Sequence, residues 1–254
     1  MATGPDRGVR GPAPDPRLVR AAALVFVDDP TAPVLDDDDV HHLVDVLRLR
    51  PAEAVVACDG EGTWTLCRFR GAPRGSSGSE VLEVDAEPVT EAKSRPPITI
   101  AFAPVKGDRP EWVVQKLTEL GADRIVPIRT ARSVVRWEGA RAERSLHRLA
   151  RVAREAAAQS RRTWLPAVEA VTPLERLADL VGVVPALAVP GGGPLSLDRP
   201  LVAVGPEGGW DDAELALFEE GVGLGPTVLR SETAALLAAG LLSGLRSNLV
   251  RRLA

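Results

Sequence analysis

The chain has 254 residues, of which 45% are hydrophobic, so it can bury the core of one large or two modest domains. No stretch approaches about 18 uninterrupted apolar residues and the N-terminus lacks an apolar signal core, so neither a membrane protein nor an exported one is indicated. The net charge of −4 disfavours indiscriminate binding to nucleic acid. We therefore expect a cytoplasmic globular protein.

Charge and cysteine positions are more informative than their totals. Residues 28–39 carry six aspartates and no basic residue, whereas residues 132–162 carry nine arginines. Cys58 and Cys67 lack the paired spacing that zinc requires, so we predict ordinary buried thiols and no metal.

The N-terminal part of the chain predicts a tail followed by a small β-barrel. Residues 1–16 are rich in Gly, Pro and Arg and can bury almost nothing, which predicts a flexible tail. In residues 17–90 the runs AALVFV, EAVVACDG, TWTLCRF and EVLEV predict short strands, the middle two joined by a tight Asp-Gly-Glu-Gly turn. Between the first two runs, DDDDVHHLVDVLRLRP predicts one short helix with an aspartate cap and with Val40, Val44 and Leu47 on one side.

A charged, proline-bearing stretch, EPVTEAKSRPP, predicts a domain boundary near residues 88–96. In residues 95–254 strands and helices alternate: ITIAFAPV, RIVPI, PALAVP and LVAV predict strands, and residues 141–160 predict a long helix. This order is typical of an α/β fold with a mostly parallel sheet.

Two further helices have recognisable starts. Asp108 with Glu111, and Asp211 with Glu214, each form a D-x-x-E capping box. The final run, ETAALLAAGLLSGL, predicts a helix that is apolar almost all round, as in a core or an interface.

Three glycine- and proline-rich turns follow predicted strands: PGGG at 190–193, GPEGG at 205–209 and LGPTVLR at 224–230. Ligands of open α/β sheets collect outside the carboxyl ends of strands, so these turns predict one pocket; the alternative is that they are only tight turns. GPEGG lacks the Gly-Lys-Ser/Thr of a P-loop and the G-x-G-x-x-G spacing of a dinucleotide loop. Glu207 would repel phosphate, which favours a neutral or cationic ligand.

Four motifs occur in an order that resembles one known family. They are HHLVDVLRLRP with CDGEG; PVKGDRPEWVVQKLTELGADRIVPI; REAAAQSRRTWLPAV; and VGPEGGWDDAE with LGPTVLRSETAALLAAGLL. Together they resemble the 16S ribosomal RNA uridine-N3 methyltransferase family of the SPOUT superfamily, over most of the chain.

The resemblance implies a trefoil-knotted α/β domain that binds S-adenosylmethionine, preceded by a PUA-like β-barrel. It also implies a homodimer through the final helix, with 16S rRNA or the 30S subunit as partner. The residues expected around the cofactor are Pro190, Gly205, Glu207, Gly208, Leu224, Gly225, Val228 and Leu229.

Methylating uracil at N3 requires loss of the N3 proton, and a nearby cation favours the resulting anion. We expect Arg230 to be that cation, the alternative being an ion pair with Glu232 or Glu207. The three histidines are remote from the loops in sequence, so Glu232 or Glu207 is the candidate general base.

The predicted RNA contacts are basic or polar residues of the same motifs: Arg48, Arg50, Lys106, Arg132, Arg136, Arg154, Gln159, Arg161 and Arg162. The chain departs from the family pattern at two places. Ala52-Glu53 stands where Gly-Asp is usual, and Ala131 stands where an acidic residue is usual, which puts details of RNA contact in doubt.

Two other functions fit the same residues. One is another SPOUT activity, such as ribose 2′-O methylation of RNA. The other is a non-catalytic RNA-binding protein for ribosome assembly, although intact GPEGG and LRSETA loops weigh against it.

Overall fold

The structure is a computed structural model that describes residues 14–72, 78–107, 109–218 and 221–250. Most of the predicted tail lies outside the described residues, as does Asp108 of the first capping box. The chain forms two compact units. The smaller one contains the described parts of 13–94 together with 154–165, and the larger one contains those of 95–153 and 166–254.

The smaller unit is built on a five-stranded sheet. Its strands are β1 (Ala23–Phe26), β2 (Ala54–Cys58), β3 (Thr63–Phe69), β4 (Leu82–Val84) and β5 (Val89–Thr90), and a short helix α1 (Pro16–Arg20) precedes them. They run in the order β1-β2-β3-β4, with β5 also paired to β3. The four predicted strands and the tight hairpin between β2 and β3 are confirmed. Strand β5 and helix α1 were not predicted, and α1 begins at Pro16, the last residue of the predicted tail.

The helix of the smaller unit differs from its prediction. Asp36 caps helix α2 (Asp37–His41) by accepting a hydrogen bond from the Asp39 amide, as the aspartate run predicts. A π-helical turn (His42–Val46) then follows directly. Because a π turn holds more residues than an α turn, the inward side shifts: Leu43 is fully buried whereas Leu47 is exposed. The prediction that Leu47 shares one face with Val40 and Val44 is therefore wrong.

Both cysteines are free and buried, as predicted. Burial raises the pKa of Cys58 to about 12 and that of Cys67 to about 11, because a thiolate is poorly solvated in an apolar core.

The larger unit contains a seven-stranded sheet in which every pair is parallel. Its strands are β6 (Thr99–Phe102), β7 (Arg124–Arg129), β8 (Ala167–Val168), β9 (Thr172–Pro173), β10 (Ala186–Gly193), β11 (Leu201–Val204) and β12 (Gly221–Val222). The sheet order is β12-β10-β11-β6-β7-β8, with β9 also paired to β7. The central strands are buried over their whole length, as expected of strands covered on both faces.

The helices of the larger unit are α3 (Arg109–Glu119), α4 (Gly139–Gln159), α5 (Leu177–Val181), α6 (Asp212–Ala216) and α7 (Ser231–Arg246), with the end of α4 counted in the smaller unit. The Asp211–Glu214 capping box is present with both of its hydrogen bonds. Helix α7 packs Ala235, Ala238, Ala239 and Leu242 fully into the core. The predicted α/β fold with a parallel sheet is confirmed.

Candidate functional site

The carboxyl ends of the parallel strands define the candidate site. Because every strand of the larger unit runs in one direction, the turns after β10, β11 and β12 leave the same edge of the sheet. The first of these turns differs from its prediction. Pro190–Gly193 is part of β10, and the pairing with β12 shifts register between Ala188 and Gly193.

Two glycines allow the backbones at the ends of β10 and β12 to pack in direct contact. A Cβ on Gly192 would lie 2.5 Å from the carbonyl carbon of Val222, and one on Gly223 would lie 2.6 Å from the oxygen of Gly192. Gly223 also donates its amide hydrogen to the Gly193 oxygen over 2.8 Å. Gly192 and Gly223 are therefore required by backbone packing.

Two side chains link the GPEGG loop to its neighbours. Trp210, directly after that loop, donates its indole N–H to the Ala188 oxygen of β10 over 3.0 Å. Ser231, the first residue of α7, donates its hydroxyl hydrogen to the Gly205 oxygen over 2.8 Å. Residues within or directly beside the three predicted turns are thus connected by hydrogen bonds.

A cavity of about 90 Å³ lies between the β10 end and the loop before α7. Five of the residues expected around the cofactor line it: Pro190, Leu224, Gly225, Val228 and Leu229. The sequence interpretation missed four others: Ala188, Val189, Thr227 and Ala234. The first two belong to a buried strand pattern and the last to a helix core, so their residue types alone gave no signal.

Gly205, Glu207 and Gly208 do not line this cavity. Gly205 contacts the ring of Trp210, since a Cβ on it would lie 3.0 Å from that ring. Gly208 and Glu207 are exposed, and the Glu207 side chain is 64% exposed. Apolar walls, backbone groups and an accessible carboxylate nearby suit a ligand that has a flat apolar part and a positive charge.

Arg230 precedes α7 and is exposed. Within the described ranges its guanidinium has no hydrogen bond or ion pair, so the alternative pairing with Glu232 or Glu207 is not observed. Instead, Arg109 at the start of α3 lies 3.3 Å from Glu232 and 3.9 Å from Glu207. Arg109 stands in the family-like stretch PVKGDRPEW, where the sequence interpretation assigned an RNA-binding role to Lys106 and no site role to Arg109.

The two candidate bases differ in environment. The Glu232 side chain is 12% exposed, and its Oε1 accepts a hydrogen bond from Arg109. Its Oε2 is buried and has no hydrogen-bond partner among the described residues. Glu207 is open to solvent. A substrate base could therefore reach Glu207 more readily than Glu232.

Three of the predicted RNA contacts lie in the larger unit. Lys106 follows β6, and Arg132 and Arg136 follow β7, so all three stand at the sheet edge that carries the cavity. All three are exposed. Arg132 donates a hydrogen bond to the Gly208 oxygen over 2.8 Å.

The other predicted RNA contacts belong to the smaller unit. Arg48, Arg50 and Gln159 are exposed, whereas Arg162 is half-buried. Arg154 donates to the Phe26 oxygen over 2.8 Å and stacks on the Phe26 ring. Arg161 donates to the oxygens of Ala21 and Ala22, and burial lowers its pKa. Those two arginines hold together the unit that contains them, a role that sequence did not suggest.

In the described part of the chain there is no group of three or more His, Cys, Asp or Glu residues that could hold a metal ion. No helix there is both long enough and apolar enough to cross a membrane.

Two known protein-family models match the chain. A model of the RNA methyltransferase domain matches residues 92–243, and a model of the RNA methyltransferase PUA domain matches residues 35–76. The parallel sheet, its cluster of carboxyl-end turns and the N-terminal PUA match together define an RNA methyltransferase.

Individual relatives show which family of RNA methyltransferases the chain belongs to. Ribosomal RNA small subunit methyltransferase E of Mycobacterium bovis is 36% identical over 255 residues, 89% of this chain and 93% of that protein. Its Bacillus subtilis counterpart is 33% identical over 232 residues, 81% of this chain and 87% of that protein. The chain belongs to the ribosomal RNA small subunit methyltransferase E family, and the resemblance inferred from its motifs is confirmed.

A solved structure agrees with this family. The ribosomal RNA small subunit methyltransferase E of Neisseria gonorrhoeae, crystallised with S-adenosyl methionine, matches with a TM-score of 0.75 and 28% identity. The match covers 88% of this chain and 97% of that one.

Proposed function

We propose that the protein transfers a methyl group from S-adenosylmethionine to N3 of a uridine in 16S ribosomal RNA. Its membership of a family of ribosomal RNA methyltransferases makes it an S-adenosylmethionine-dependent methyltransferase. The observation that carries the proposal is the connected set of turns, because it joins an apolar cavity to an unpaired arginine and an exposed carboxylate.

The cavity residues suit the cofactor. Leu224, Leu229 and Val189 offer apolar walls, and the neighbouring backbone offers donors and acceptors for an adenine edge. Glu207 would attract a positively charged group. When bound, S-adenosylmethionine supplies a methyl group on a positively charged sulfur, and a deprotonated ring nitrogen can accept it.

In this proposal Arg230 and Glu207 have two separate catalytic roles. The Arg230 guanidinium stabilises the negative charge that spreads to the uracil oxygens when N3 loses its proton. Glu207 accepts that proton, since its carboxylate is exposed, whereas Arg109 occupies one oxygen of Glu232. Glu207→Gln should then lower kcat far more than Glu232→Gln at equal folded fraction; the reverse order would reassign the base.

RNA and a second copy of the chain are the proposed partners. We propose that Lys106, Arg132 and Arg136 guide RNA to the cavity edge, and that residues 17–90 form the PUA-like RNA-binding domain. We also propose a homodimer that pairs through α7, a trefoil knot in the domain at 95–254, and action on 16S rRNA within the 30S subunit in the cytoplasm.

Product identification tests the proposal and its rivals together. The protein is incubated with labelled S-adenosylmethionine and unmodified 30S particles, and the methylated nucleoside is identified by mass spectrometry. We expect label in N3-methyluridine of 16S rRNA. Label on a ribose would favour the other SPOUT activity, and no label together with RNA binding would favour a non-catalytic assembly protein.

A further inference from the structure

The segment after β7 forms a compact turn beside the GPEGG loop. Thr130 donates its amide hydrogen to the Ser133 hydroxyl oxygen over 3.0 Å, and the Ser133 amide donates to the Thr130 oxygen over 3.1 Å. These bonds fix the backbone at Ala131 and Arg132, the two residues between them. The turn therefore presents both residues in one defined orientation.

Two hydrogen bonds run from this turn to the polypeptide after β11. The Arg132 guanidinium donates to the Gly208 oxygen over 2.8 Å, and the Ala131 amide donates to the Glu214 Oε1 over 2.7 Å. Glu214 is 8% exposed, and its other oxygen accepts from the Asp211 amide over 3.0 Å. Both ends of the segment from Gly208 to Glu214 are thus held by the turn after β7.

The same segment also contacts the cavity wall, through the side chain of Trp210. Trp210 lies two residues beyond Gly208, and its indole N–H is bonded to the oxygen of Ala188, which lines the cavity. A shift of Gly208 would therefore move the Trp210 backbone and disturb this bond. Without Arg132, the hydrogen bond from Ala131 to Glu214 would be the remaining one between the segment and the turn among the described residues.

We propose that Arg132 is a positioning residue for the cofactor site, acting through Gly208, in addition to any contact it makes with RNA. Only one nitrogen of its guanidinium is used by Gly208, and the fork geometry leaves donors for a phosphate. The inference rests on the proposed function, because it takes the cavity to be the S-adenosylmethionine site.

The two roles of Arg132 make different predictions when RNA is absent. A residue that contacts only RNA has no effect on cofactor affinity in the free protein. A residue that holds the GPEGG loop changes that affinity without RNA, because losing a hydrogen bond to a charged donor allows the loop to leave its binding conformation.

Calorimetric titration of S-adenosylmethionine into the full chain without RNA tests the inference. Arg132→Met should raise the dissociation constant about tenfold, the factor that corresponds to the net value of one hydrogen bond from a charged donor. Arg132→Lys, which can still donate to Gly208, should recover part of the loss. The matched control is Arg141→Met, which removes an equal charge from another exposed position of the larger unit and should leave the affinity unchanged.

Thermal unfolding of each variant accompanies the titration, and equal midpoints show that the fold is intact. Equal affinities for wild type and Arg132→Met would overturn the inference, and so would equal losses in Arg132→Met and Arg141→Met. Failure of the wild-type protein itself to bind S-adenosylmethionine would instead overturn the proposed function.

Discussion

Arg230 stands between the cavity loop and α7 with its guanidinium unpaired in the described part of the chain. In the proposed reaction it is the only protein cation assigned to the developing uracil anion. Its replacement by Ala should lower kcat about 10²-fold, the usual cost of removing one donor to a developing oxyanion. Cofactor affinity should change little, because Arg230 is absent from the cavity lining. Unchanged turnover with cofactor bound would show that another group stabilises the charge.

The backbone conformation of Ala52 leads to a prediction about stability. Its φ of 74° lies in the left-handed region, where a side chain costs energy and glycine does not. The family resemblance already singled out this position, since glycine is usual there. Ala52→Gly should therefore raise the free energy of unfolding by about 1 kcal/mol, measured by urea denaturation.

A control at Ala54 separates backbone relief from a general effect of glycine. Ala54 begins strand β2, so Ala54→Gly should lower the free energy of unfolding by about 0.5–1 kcal/mol. Loss of stability in both variants would contradict the explanation for Ala52.

A family-like motif predicted part of the cavity lining. Leu224, Gly225 and Leu229 were expected at the cofactor site from a family-like motif, and all three line the cavity. Arg109 was missed because its partners, Glu207 and Glu232, are 98 or more residues away in sequence. Arg154 and Arg161 could not be recognised as internal contacts, because a guanidinium that binds a backbone oxygen has the same sequence signature as one that binds phosphate.

The crossing of β10 and β12 gives a test at the scale of elements. Gly192→Ala would push a Cβ to 2.5 Å from the carbonyl carbon of Val222, so we expect a loss of about 2 kcal/mol or more in unfolding free energy. Cofactor affinity should fall as well, because the same crossing forms the cavity edge. Chemical denaturation and calorimetry measure the two effects.

Gly193 provides the matched control for this crossing. A Cβ there would meet its nearest atom, the Gly221 oxygen, at an ordinary 3.7 Å. Gly193→Ala should therefore leave stability and cofactor affinity close to wild type. If Gly192→Ala behaved like Gly193→Ala, close backbone packing would not explain the glycines.

Elements with strong local signals were predicted and those defined by distant partners were not. The capping box at Asp211 and the buried run LVAV each specify their structure locally. Strands β8 and β9 have two residues each and exist only because they pair with β7, so their sequences contain no periodicity to detect. The π turn after α2 was missed because hydrophobic spacing was interpreted with an α-helical period.

At the scale of the whole molecule, the proposed homodimer predicts a measurable mass. Leu236 and Leu241 of α7 pack on the core, whereas Leu237 lies one position further round the helix and is half-buried. We expect sedimentation velocity to give twice the chain mass of 26.9 kDa, and Leu237→Arg to give the single-chain value.

The control for the dimer places the same charge elsewhere. Val184 is 63% exposed and lies outside α7, so Val184→Arg should leave the dimer intact. A wild-type protein that sediments as a single chain at a concentration of tens of micromolar would contradict the dimer. The assignment of the cofactor site would be unaffected by that result.

A crystal structure with S-adenosylmethionine bound tests the central claim most directly, because that claim is a location. We predict cofactor density in the cavity, in contact with Pro190, Leu224 and Leu229, with the hydrogen bond from Trp210 to Ala188 kept. Density elsewhere on the protein, or none at a saturating concentration, would contradict the assignment of the strand-end turns as the cofactor site.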